Sequence, residues 1–156
     1  MFRRVPMYAA ADLDELERLI ATAPKPIVLV FDADNTLVPQ GVPVEEFQQG
    51  VNAAIDRFEA HPSVARVIVL TNGPERSVPE MIHRGNKPFT TRGRLGLTAA
   101  HTDVWVVGDQ ILTDGVLAWR LGAPFVLLAL DTEMEAPRQA GMRRIGDVVA
   151  RLLFRP

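Results

Sequence analysis

Two aspartates, Asp32 and Asp34, follow directly on an apolar run that ends at Phe31. The run is typical of a strand buried on both faces of a parallel sheet. Open α/β sheets bind their ligands at the carboxyl ends of such strands. An aspartate-rich turn, in which Asn35 and Thr36 bond their own backbone, would be the better explanation if these residues stood alone. Residues elsewhere in the chain favour a functional site.

Two further predicted strands also end in polar residues. The strand Val67–Leu70 is followed by Thr71 and Asn72, and the strand Val104–Val107 leads into Gly108-Asp109. Because the carboxyl ends of parallel strands meet at one edge of a sheet, we expect these side chains to lie close together. The convergence of carboxylates and a hydroxyl predicts a functional site at that edge.

Carboxylates and a hydroxyl, in a chain without cysteine, favour a hard cation with oxygen ligands, and magnesium fits best. A carboxylate can also attack a phosphoryl group, and a second carboxylate can protonate the leaving oxygen and then activate water. Lys87 can supply a fixed positive charge there. A P-loop, a dinucleotide-binding fingerprint and a serine-hydrolase elbow are all absent from the sequence. The spacing of Asp32 and Asp34 argues against a receiver domain.

The elements expected to position these residues alternate between strands and helices. Strands are predicted to end at Phe31 and to cover residues 67–70, 104–107 and 125–130, and a turn is predicted over residues 98–102. A first helix is predicted after Asp12 and before Pro24, and further helices are predicted over residues 44–60, 77–83, 113–121 and 143–153. This alternation predicts an α/β fold with a mostly parallel sheet and helices on both faces.

The composition limits the class of protein. The chain has 156 residues, which suits one domain, and 47% of them are hydrophobic, which is enough for a core. The net charge of −2 gives no basic footprint for nucleic acid. The lack of cysteine suits a reducing cytoplasm, and no apolar run approaches the ~20 residues of a membrane span. We therefore expect a soluble cytoplasmic protein.

The sequence Asp32-Ala33-Asp34-Asn35-Thr36-Leu37 resembles the first motif, Asp-x-Asp-x-Thr-Leu, of the haloacid dehalogenase (HAD) superfamily of phosphohydrolases. Thr71, Lys87 and the segment Gly108-Asp109-Gln110-Ile111-Leu112-Thr113-Asp114 are similar to its second, third and fourth motifs, in the same order. The resemblance implies a three-layer Rossmann-like fold. It also implies a magnesium-dependent phosphatase that works through an aspartyl-phosphate.

By this resemblance, Asp32 is the nucleophile and Asp34 the general acid and base. Thr71 and Lys87 hold the phosphoryl group. The implied magnesium ligands are Asp32, Asp34 through its backbone carbonyl, Asp109 and Asp114. The implied substrate contacts are Asn35, Thr36, Asn72 and Gly73.

Within the superfamily the motifs are similar to the YqeG-like branch of subfamily IIIA, which includes phosphatidylglycerophosphate phosphatases. A lipid head-group phosphate is therefore one implied substrate. The intervals from Asp34 to Thr71 and from Thr71 to Lys87 leave no room for a cap domain, so an open site is expected. The second interval is short enough that a strand of the family fold is expected to be missing there. A phosphotransferase and a non-catalytic binding module are the alternatives.

The C-terminal segment combines arginine with apolar residues. Arg143, Arg144, Arg151 and Arg155 accompany Ile145, Val148, Val149, Leu152, Leu153 and Phe154. One interpretation is an interfacial helix attracted to anionic lipid. We favour the other, in which the apolar stripe packs on the sheet and the arginines face water. Peripheral membrane contact and oligomer formation remain open.

Overall fold

A computed structural model describes residues 3–73, 81–82, 84–101, 103–128 and 137–156, with backbone alone for residues 137–143. Within these residues one parallel sheet contains seven strands: β1 Val5–Ala9, β2 Ile27–Phe31, β3 Val64–Leu70, β4 Met81–Ile82, β5 Val104–Gly108, β6 Phe125–Leu127 and β7 Phe154–Arg155. The helices are α1 Leu13–Ile20, α2 Val44–Glu59, α3 Val116–Leu121 and α4 Pro137–Leu153. A π-helical segment, Ile111–Gly115, precedes α3. The α/β class and the parallel sheet are confirmed.

The order of the strands across the sheet is β4-β3-β2-β5-β6-β1-β7. From β2 the chain moves outward through β3 and β4, and it then returns to place β5 and β6 on the other side of β2. The crevice between the carboxyl ends of β2 and β5 is therefore a topological switch point, where open α/β sheets bind ligands. Val30 is paired with Val106, and Phe31 with Val107, so the two strands end at the same level.

Helices cover both faces of the sheet, as predicted. Successive residues of a strand point to opposite faces. Leu29 and Phe31 accordingly join the core beneath α1 and α2. Val28 and Val30 join the core on the other face, which contains Leu117 of α3 together with the end of α4. Because every residue of β2 is buried, the strand holds the switch point rigidly.

The first two helices agree with their predicted bounds. Asp12 caps α1, since its side chain accepts a hydrogen bond of 2.7 Å from the Glu15 backbone N–H. The predicted turn near residue 98 is also present, because the His101 N–H donates to the Thr98 carbonyl at 3.1 Å.

The structure corrects the secondary structure predicted between Thr71 and Lys87. Met81 and Ile82 form the edge strand β4, which pairs with Val69 and Leu70 of β3. The predicted helix over residues 77–83 is therefore wrong at these two residues. The other residues of that predicted helix lie outside the described residues. The strand expected to be missing is thus present as a two-residue segment, too short to give a periodic apolar signal.

Besides β4, the strands β1 and β7 were not predicted, and several bounds were wrong, among them the start of β3, which begins at Val64 and not at residue 67. β1 was missed because it contains Pro6, and proline is rare inside strands. In the structure Pro6 lies where β1 pairs with the two-residue strand β7, near the sheet edge. β6 ends at Leu127, and residues 129–130 lie outside the described residues. α4 begins at Pro137, well before residue 143, and the π-helical segment delays the start of α3 to Val116. Among the described residues, none of the helices is long and apolar enough to cross a bilayer.

Candidate active site

Three carboxylates meet at the switch point. Asp32 follows β2, Asp109 follows β5, and Asp114 lies in the π-helical segment. Each offers one oxygen, and these oxygens lie within 4.8 Å of one another. The side chains of Asp32 and Asp114 are 9% and 1% exposed. The structure therefore brings together three of the four predicted metal ligands through their side chains.

Lys87 lies between two of these carboxylates. Its ammonium group donates to Asp32 Oδ1 and, at 2.7 Å, to Asp114 Oδ1. The lysine side chain is 5% exposed, so both ion pairs are shielded from water. This position agrees with the prediction that Lys87 places a fixed positive charge beside the nucleophile.

The π-helical segment holds Asp114 over the end of β5. The Asp114 and Gly115 N–H groups donate to the Gln110 carbonyl at 2.9 and 3.2 Å, and the Gln110 N–H donates to Asp114 Oδ2 at 3.3 Å. π-Helical turns are often found at functional sites. A Cβ on Gly108 would lie 2.3 Å from Asp114 Oδ2, so only glycine lets this carboxylate reach the cluster.

The loop before Lys87 is fixed by backbone and side-chain contacts. Asn72 accepts a hydrogen bond of 2.7 Å from the Lys87 N–H and donates one of 3.1 Å to the Lys87 carbonyl. The Gly85 N–H donates to the Thr71 carbonyl at 2.7 Å, and the buried Thr90 hydroxyl donates to the Gly85 carbonyl. A Cβ on Gly85 would lie 2.4 Å from Leu70 Cδ1, so glycine is needed at this approach.

Asp34 and Thr71 form a second polar pair. The Thr71 hydroxyl donates to Asp34 Oδ2 at 3.2 Å, and the Gly73 N–H donates to that hydroxyl at 2.9 Å. The Asp34 carboxylate does not belong to the group formed by Asp32, Asp109 and Asp114. Asp34 was predicted to use its backbone carbonyl for the metal, which leaves its carboxylate for proton transfer.

The turn after β2 uses two predicted substrate contacts in different ways. Asn35 has a left-handed φ of 59°, and its side-chain oxygen accepts a hydrogen bond of 3.0 Å from the Gln40 N–H. Its side chain thus holds the loop. The Thr36 hydroxyl is fully buried and has no hydrogen-bond partner among the described residues.

Burial dominates the electrostatics of the cluster. It raises the pKa of Asp32 to about 8, aided by the charge of Asp114 and opposed by Lys87. Burial and the charge of Asp114 likewise raise the pKa of Asp109 to about 6. The pKa of Asp114 is also raised by burial, against the pull of Lys87. Burial lowers the pKa of Lys87, but Asp114 and Asp32 outweigh it, and the net shift is upward.

One lysine does not neutralise this cluster of three carboxylates, two of them buried, and burial raises the pKa of each. A hard divalent cation would supply the missing positive charge, and oxygen donors are the ligands that magnesium takes. The residues present therefore fit magnesium, with Asp32, Asp109 and Asp114 as its side-chain donors.

Fold and site together define a class: a Rossmann-like α/β protein with an acidic, lysine-containing centre at its switch point. The chain matches no protein-family model, no curated protein and no solved structure.

Sequence reasoning found the groups that could react but missed residues that place them. Gly85, Thr90 and Gly108 had no predicted role, although the two glycines permit close approaches in the site. Gly108 could have been found from its position directly before Asp109 in the sequence. Asn72 and Gly73, which were predicted to contact substrate, bond in the structure to Lys87 and Thr71, and a role of theirs in substrate binding stays a prediction.

Proposed function

We propose that the protein is a magnesium-dependent phosphatase that hydrolyses a phosphomonoester through an aspartyl-phosphate on Asp32. The observation that carries this proposal is the contact of Lys87 with both Asp32 and Asp114, at a switch point that also contains Asp109. Two buried carboxylates thereby share one cation, and the oxygens of all three carboxylates lie within 4.8 Å of one another, close enough to hold a metal ion.

In the first step an oxygen of Asp32 forms a bond to phosphorus while the bond from phosphorus to the leaving oxygen breaks. Asp34 donates a proton to that leaving oxygen. In the second step Asp34 accepts a proton from water, whose oxygen attacks phosphorus and releases inorganic phosphate and the Asp32 carboxylate. Magnesium, when bound, offsets the charge of the phosphoryl oxygens. Thr71 and Lys87 hold those oxygens in place.

The proposed nucleophile must be ionised to react. Burial raises the pKa of Asp32 to about 8, whereas the charge of Lys87 favours the ionised carboxylate. A cation held by Asp32, Asp109 and Asp114 would likewise favour the ionised form of Asp32.

The test is hydrolysis of a generic aryl phosphate by the full chain, with magnesium and with a chelator. We expect magnesium-dependent turnover that Asp32→Asn lowers by at least about 10³-fold, because the nucleophile is lost. The matched control is Asp14→Asn, which makes the same change in an exposed ion pair. Full activity of the Asp32→Asn variant would contradict the proposal. Inactivity of the wild-type chain towards every phosphomonoester tested would favour a binding module.

The resemblance adds a finer proposal, that the phosphate is carried by a lipid head group. A panel of phosphorylated lipids, sugars, nucleotides and peptides tests it. Preference for phosphatidylglycerophosphate is expected, and efficient turnover of a soluble metabolite with no action on the lipid would contradict it.

A further inference from the structure

Helix α4 exposes an apolar stripe that nothing in the described chain covers. Ile145, Val148 and Leu152 are 59%, 60% and 59% exposed. At 3.6 residues per turn these three lie within an arc of about 60°. Leu153 packs in the core beside Phe154, as expected for the C-terminal helix. The expectation that the apolar residues of α4 all pack on the sheet is therefore wrong for these three.

Arginines border this stripe. Arg144 and Arg151 are both exposed, and helical spacing places them beside the stripe on the side away from the core. Residues 137–156 contain five arginines and one acidic residue, although the whole chain has a net charge of −2. Positive charge is thus concentrated on the element that exposes the apolar side chains.

We infer that the exposed stripe of α4 docks the protein on an anionic lipid surface. Interfacial helices insert apolar side chains at the acyl boundary and place arginines at the head groups, and α4 offers both. A second protein is a poorer fit, because three exposed apolar side chains supply only a small part of the ~800 Å² per partner that a stable interface buries. The cationic border selects anionic lipid over neutral lipid.

The inner face of α4 packs against the π-helical segment that contains Asp114, since a Cβ on Gly146 would lie 3.5 Å from the Ile111 side chain. The exposed stripe lies on another face of the same helix. Adsorption itself does not depend on the proposed phosphatase activity.

The test is co-flotation of the full chain with vesicles of phosphatidylcholine, with or without about 30% phosphatidylglycerol. We expect binding to the anionic vesicles that weakens as salt is added, and little binding to the neutral ones. Replacing the stripe by Ile145→Gln, Val148→Gln and Leu152→Gln together should reduce binding by at least about tenfold. Arg144→Gln with Arg151→Gln should reduce it by about fivefold per arginine and weaken its salt dependence.

The matched control is Val44→Gln, which changes an exposed apolar residue on α2, over the opposite face of the sheet. It should bind vesicles like the wild type, and all variants should keep the wild-type unfolding midpoint because the residues changed are exposed. Absence of binding to anionic vesicles would overturn the inference, as would wild-type binding by the triple variant. A dimer in sedimentation experiments that the triple variant abolishes would also overturn it, in favour of a second copy.

Discussion

Within the described residues, one cation contacts two carboxylates at two sites, and the carboxyl pKa values shift in opposite directions at the two. On the surface, Arg57 of α2 contacts Asp14 and Glu17 of α1, each at 2.5 Å. At the switch point, Lys87 contacts Asp32 and Asp114. The surface site joins two helices, whereas the buried site joins the ends of a strand, a loop and a π-helical segment.

The two sites differ in how deeply their carboxylates are buried. Hydrogen bonding to Arg57 and its charge lower the pKa of Asp14, whose side chain is 75% exposed. At the switch point burial raises the pKa of Asp32 to about 8 in spite of Lys87. Similar contacts between one cation and two carboxylates therefore form an ordinary surface ion pair in one place and a buried acidic centre with raised carboxyl pKa values in the other. Strongly raised carboxyl pKa values in a crevice are typical of functional sites.

Removal of the cation should give the largest difference in unfolding free energy between the two sites. Lys87→Met leaves buried carboxylates without their partner, and we expect a loss of roughly 3–5 kcal/mol in the unfolding free energy of the metal-free protein at pH 8. Arg57→Met should cost less than about 1 kcal/mol, because exposed ion pairs contribute little. Denaturant unfolding measures both. Equal costs would show that burial does not distinguish the two sites.

Removal of a carboxylate should change the unfolding free energy in opposite directions at the two sites. The pKa of Asp32 in the folded protein, about 8, lies above its ordinary value of 3.8, so the stability contributed by its bound proton is full below pH 3.8 and is lost as pH rises through 8. Asp32→Asn cannot ionise. In a chelator at pH 9 it should therefore be more stable than the wild type by about 1–4 kcal/mol.

The matched variant is Asp14→Asn. Because the pKa of Asp14 is lowered, its stabilising contribution is present at neutral pH and is lost in acid. This variant should lose a little stability at pH 7 and none in acid. Unfolding curves across the pH range test both signs, and destabilisation of the metal-free protein by Asp32→Asn at pH 9 would contradict the electrostatic account.

The smallest expected effect concerns the loop that positions Lys87. Asn72→Ala removes two hydrogen bonds to the Lys87 backbone, and we expect kcat to fall by about tenfold with little change in KM. The control is Asn52→Ala, on the exposed side of α2. A raised KM with unchanged kcat would show that Asn72 binds substrate, as its sequence position suggested.

The features that could be predicted from the sequence are those marked by hydrophobic periodicity or by polar residues at strand ends. The buried run before Asp32, the capped helix after Asp12 and the convergence of Asp32 with Asp109 all follow from local pattern. β4 and β7 did not, because two-residue strands carry no period and form only through pairing with a neighbour. The contacts of Asn72 and the closeness of Gly108 to Asp114 depend on tertiary packing, which local sequence does not encode.

The most direct measurement is to trap the covalent intermediate. The wild-type chain is mixed with an aryl phosphate and magnesium, quenched in acid and reduced with borohydride, which converts an aspartyl-phosphate to homoserine. Peptide mass spectrometry should then find homoserine at position 32, and none when magnesium is withheld. Turnover of the substrate with an unmodified Asp32, or with homoserine at another aspartate, would contradict the proposed mechanism.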